Sequence, residues 1–148
     1  MSKSNAWEEG LLKLTFNNTA FANVGDTSGL QPAGAAGNLH VSLHTADPGE
    51  AGTQATNEGT YTGYARKAVA RSTAGWTVTA GAVANTAAIT FVVCTTGSAS
   101  NTVTYFGVGT DSSGAGVLLY SGALTASLAV SGGITPAFAI GALDVTEG

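Results

Sequence analysis

The stretch Leu39-His40-Val41-Ser42-Leu43-His44-Thr45 alternates apolar and polar residues along its length. A period of two marks a strand, so Leu39, Val41 and Leu43 are expected on one face and His40, Ser42 and His44 on the other. Asp47-Pro48-Gly49-Glu50 then breaks it as a turn, and the polar run 51–60 is expected to be an exposed loop. Further short strand candidates follow at Tyr64–Arg71, Trp76–Thr79, Ala82–Ala84, Ala87–Val93, Thr102–Gly109, Gly116–Ala123, Ala126–Val130 and Phe138–Val145. Turn formers separate them. Ser131-Gly132-Gly133 and Asp111-Ser112-Ser113-Gly114 are examples. This pattern predicts an all-β fold, a β-sandwich or jelly roll of short antiparallel strands with a short N-terminal helix or arm. A core on Trp76, Ile89, Phe91, Phe106, Leu118, Leu128 and Phe138 is expected.

Upstream of the strands the period changes. Asn5 with Glu8 three residues later suggests a capping box, and Trp7, Leu11 and Leu14 make an i, i+4, i+7 apolar stripe. Residues 1–38 are therefore expected to be a helix or arm with a connecting loop, and 39–148 the β-sandwich domain. The start of the chain has no charged and then apolar leader pattern, which predicts folding in a reducing cytosol.

Composition excludes several functions. Ala, Gly, Ser and Thr make up 80 of the 148 residues, and only 9% are charged. Five Lys and Arg against nine Asp and Glu leave no basic stripe for nucleic-acid phosphates. No apolar run is long enough to span a membrane. The single cysteine, Cys94, follows Phe91-Val92-Val93 and is expected to be a buried, inert thiol.

Chemistry is sparse. His40 and His44 would lie roughly 13 Å apart along a strand, too far to share a metal, and are expected to face solvent or an interface. Asp47, Glu50 and Glu58 lack calcium-loop spacing and are expected to serve the turn and solvate the loop. Gly107–Gly114 lacks the Gly-Lys-Ser/Thr ending of a phosphate loop and reads as a hairpin turn. There is no Gly-x-Ser-x-Gly elbow, and no Ser or Cys is expected near a histidine in sequence, which leaves pairing in space open. The expectation is a protein that is not an enzyme and takes no cofactor or metal. Arg66, Lys67 and Arg71 hold three of the five cations within six residues. They predict either a charge-defended edge strand or a docking strand.

The run from Leu39 to Glu50, ending LHTADPGE, followed by Tyr61-Thr62-Gly63-Tyr64-Ala65-Arg66, resembles the signature of small virion proteins of tailed bacteriophages. Thr104–Gly109, Leu119–Leu124 and Gly133–Phe138 agree with it. That resemblance implies a capsid cement or decoration protein on the capsid surface of the virion, bound to the major capsid protein and to itself as a homodimer or homotrimer. A tail-fibre or receptor-binding component is the alternative. The low-charge surface fits covered neighbours. Trp7, Leu11 and Leu14 are the candidate anchoring residues of the arm, with Arg66, Lys67 and Arg71 the candidate docking cations.

Overall fold

A computed structural model describes residues 2–97 and 99–147. It is all-β with one N-terminal helix, as the alternation implies, and its residues gather into two compact units. The chain passes between units at 38/39, 69/70, 88/89 and 137/138.

The first unit comprises 1–38, 70–88 and 138–148. Helix α1 spans Asn5–Asn17. Its N-cap is Ser4, one residue before the expected Asn5: Ser4 has extended backbone, and its hydroxyl accepts from the Trp7 N–H at 3.3 Å. Asn18 ends the helix in the left-handed conformation, and its side chain exchanges two 2.9 Å hydrogen bonds with Ala33. The buried helix positions are Leu12 and Phe16, not the expected Trp7, Leu11 and Leu14. Leu11 and Leu14 are half-buried, and Trp7 is 38% exposed, tilted against Phe21 at 5.3 Å. Gly10 lets Phe21 lie on the helix, since a Cβ there would meet three ring carbons at 2.6 Å.

Phe16 packs edge-on against Trp76 at 5.0 Å. Trp76 opens β3 (Trp76–Thr79), which pairs antiparallel with β4 (Ala82–Asn85). Ala80 and Gly81, both at positive φ, close this hairpin in the sense that matches strand twist. A last strand, Asp144–Thr146, pairs with β4 on its other side. The expected strand Phe138–Val145 is interrupted because buried Asn85 holds a turn there. Its amide donates to the carbonyls of Ala87 and Ala139 at 2.8 Å, and its oxygen accepts from the Leu143 N–H at 2.9 Å.

The second unit comprises 39–69 and 89–137. Its four-stranded sheet has β1 (Asn38–His44) paired antiparallel with β6 (Asn101–Gly109), and β6 with β7 (Leu118–Val130). Strand β2 (Lys67–Ala70) flanks β1, so β2 and β7 are the sheet edges. Strand β2 is shorter than the expected 64–71 because Tyr64 and Arg66 turn into the unit. The two strands expected at 116–123 and 126–130 are one, with the irregularity absorbed as register shifts against β6. The expected strand Ala87–Val93 contracts to β5 (Ile89–Thr90), which pairs with β8 (Ala137–Phe138); the last strand above is β9. Of the expected core, Trp76, Ile89, Phe91 and Phe106 are buried; Leu118 and Phe138 are half-buried and Leu128 is exposed. Cys94 is buried, as expected.

Candidate functional site

The alternation along β1 predicts one wet face, yet Ser42 and His44 are both completely buried. The segment 45–60, of which 51–60 is expected to be an exposed loop, folds back over them. Thr45 and Gly59 anchor its ends through N–H donation to the carbonyls of Asn57 (2.7 Å) and Leu43 (2.8 Å). Gln54 is buried beneath it, donating to the His40 carbonyl at 3.3 Å and accepting from the Asp111 N–H at 2.9 Å. The sequence signal for this was the pair of glycines opposite. A Cβ on Gly107 would sit 2.6 Å from His44 Nε2, and one on Gly109 would sit 2.2 Å from Gln54 Cδ. Side chains there would lift the loop off the sheet.

His44 Nδ1 lies 2.8 Å from the Thr56 carbonyl, which fixes the proton on that nitrogen. Nε2 is then the acceptor for the Ser42 hydroxyl, also at 2.8 Å. The expectation that no serine stands near a histidine in sequence overlooked Ser42, whose two-residue spacing from His44 on a strand puts both side chains on one face. Burial lowers the His44 pKa, against a smaller upward pull from the Thr56 carbonyl, so the ring is neutral. Both groups are fully covered, and the bond to the Thr56 carbonyl ties the loop to the sheet.

Glu58 also departs from its expected solvating role. It accepts from Arg66 Nε at 2.6 Å and from Arg66 Nη2 at 2.8 Å, a two-pronged pair. It accepts from the Tyr64 hydroxyl at 2.8 Å as well. Arg66 further donates to the Asp111 and Gly114 carbonyls at 2.9 and 2.5 Å, tying the β6–β7 turn to the loop. Burial raises the pKa of Tyr64, and burial likewise pushes Tyr61 up to about 12. Asp47 does serve its turn, accepting from the Gly49 N–H at 2.8 Å.

The six candidate interaction residues divide between the two units. Trp7, Leu11 and Leu14 belong to the first unit, as does Arg71, whose guanidinium donates to the carbonyls of Leu14 and Thr15 at 2.7 Å and Ala36 at 3.1 Å. It supplies the positive charge that the last turn of α1 lacks. Arg66 is 8% exposed and fully engaged within the second unit. Lys67 is the exposed member of the trio, on edge strand β2.

Sequence reasoning passed over the opposite edge. Residues 72–143 contain a single charged residue, Asp111, so β7 presents an edge without charge. Beside it lies an open groove of about 520 Å³ lined by Asp47, Glu50, Tyr105, Leu118 and Ser121, among others. A turn from the folded-back loop forms one wall and the edge strand forms the other.

In the second unit the buried polar groups hold the loop 45–60 and the β6–β7 turn in place. Residues 2–146 match the family described as Podophage GP4 fiber I protein gp80, and the chain belongs to that family. Among curated proteins no match is found. The family description names a fibre, which fits the tail-fibre alternative better than the capsid cement expected from the sequence resemblance.

Proposed function

We propose that this chain is a structural building block of a phage tail fibre, without catalytic activity, that works by binding other virion proteins and further copies of itself. The observation that carries this reading is the family match across residues 2–146. Two features of the molecule support it. The Ser42–His44 couple is sealed under a loop, and the β7 edge is left without charged residues over a long stretch. Uncharged small side chains lose little rotamer freedom and shed little bound water when covered, so they suit permanent contact.

The test is the position and copy number of the chain in purified particles. Antibody labelling seen by electron microscopy is expected on the tail or its attachment region, with tens of copies per particle by quantitative mass spectrometry. Label spread over the head at hundreds of copies would return the chain to the cement role.

A further inference from the structure

We propose that the β7 edge and its adjoining groove form a strand-addition site for a short extended segment of another protein, one that carries a cationic side chain. An edge strand offers unpaired N–H and C=O groups, and proteins normally protect such edges with charge, proline or bulges. Strand β2, at the other edge, has exposed Lys67. Strand β7 has neither charge nor proline. Its register shifts at Leu119 and between Ala123 and Leu128 leave Tyr120–Ala123 as a regular stretch, paired residue for residue with Val108–Tyr105. Four residues suffice for a short linear motif held by main-chain hydrogen bonds.

The groove lies against this same stretch, since Tyr120 and Ser121 line it together with Leu118 and Leu119. Pairing puts Ser121 on the face of Gly107, and Ala123 on the face of Tyr105. That is also the face of Ser42 and His44, over which the loop bearing Asp47 and Glu50 folds. In an added strand, alternate side chains point to that face and enter the groove. Among the described residues Asp47 and Glu50 form no ion pair, and none that lines the groove is basic. A lysine or arginine on the incoming segment supplies the missing charge, with Tyr105 beside it as an aromatic surface. Acidic and neutral segments gain nothing comparable. The site is independent of where in the particle the chain sits.

The probe is a fluorescein-labelled, end-capped pentapeptide, Thr-Val-Arg-Val-Thr, titrated with the full chain and followed by anisotropy. A control peptide carries Glu in place of Arg. The Arg peptide is expected to bind at least about tenfold more tightly, and the double variant Asp47→Asn/Glu50→Gln, checked for folding by circular dichroism, to bring the two within about twofold. Two backbone N-methylated versions, modified at odd or at even positions, separate strand addition from side-chain binding, because only one set of N–H groups faces the edge. One is expected to bind and the other not. Equal binding of the Arg and Glu peptides, equal binding of both N-methylated forms, or no binding at millimolar peptide overturns the proposal. So does self-association of the chain that Ser121→Lys abolishes, since the edge would then belong to a second copy.

Discussion

Replacing Glu58 by alanine strands Arg66 in a site built for a carboxylate. The Arg66 side chain is 2% exposed and that of Glu58 17%, and the two meet through paired bonds of 2.6 and 2.8 Å. Breaking such a pair from one side costs roughly 3–5 kcal/mol when burial is complete. The residual exposure of Glu58 favours the lower end, about 3 kcal/mol, with the Tyr64 hydroxyl losing its acceptor as well. For a chain of this size about 3 kcal/mol lowers Tm by roughly 6–12 °C. Removing both charges at once, as Glu58→Leu/Arg66→Met, is expected to cost less than the sum of the single changes, because no buried charge is left unpaired. Urea denaturation of the two single variants, the double variant and the parent closes the cycle. A Glu58→Ala loss below about 1 kcal/mol, or strict additivity, would show that water screens this pair like any surface ion pair and that it does not hold the loop.

Other perturbations probe other parts of the molecule. Since burial lowers the His44 pKa, the native state binds fewer protons than the unfolded chain. The stability this group contributes is therefore full above its ordinary value of 6.5 and is lost as pH falls below that toward the folded-state value. Urea midpoints measured from pH 8 to 5 should decline below that point in the parent and decline less in His44→Gln. Arg71→Met removes three charge-assisted bonds to carbonyls, two of them in the last turn of α1, and is expected to cost about 2–4 kcal/mol by thermal melting; an unchanged Tm would mean that water replaces the guanidinium freely. Gly109→Ala drives a methyl group to 2.5 Å from the Val117 carbonyl as well as into Gln54. A loss of about 2–3 kcal/mol is expected, and a neutral result would contradict the close packing of loop on sheet. Ser4→Ala should lower stability by about 1 kcal/mol, whereas Asn5→Ala should leave it nearly unchanged if Ser4 is the cap.

The strand pattern was legible because a two-residue period survives even in a chain poor in large side chains. Strand β1, the β3–β4 hairpin and β6 lie close to their expected bounds for that reason. Burial was much less legible. The polar face of β1 reads as solvent-facing because alternation cannot distinguish water from a polar loop folded over the strand. The clue lay some sixty residues away, in Gly107 and Gly109, whose missing side chains make room for that loop. The helix face was misjudged in a similar way. Trp7, Leu11 and Leu14 form a valid helical stripe, but Phe21 folds back on Gly10 and rotates the buried line to Leu12 and Phe16. The cluster of Arg66, Lys67 and Arg71 reads as an edge or docking strand, because spacing along a chain does not reveal that its outer members reach carbonyls within separate compact units. The β7 edge was visible in the sequence as an uncharged run. It gained meaning only when the strand order placed it outermost.

The way the two compact units share the chain bears on how the protein is made. As residues leave the ribosome in order, the second unit has all its segments once residue 137 has emerged. The first unit must wait for 138–148, because β9 supplies the partner for Val83 and the Leu143 N–H caps the Asn85 oxygen. Until then helix α1, although translated before the strands it packs on, has Trp76 and the β3–β4 hairpin to rest on but no third strand beside β4. A stop codon between residues 137 and 144 would leave the second unit with all its segments and deprive the first of β9.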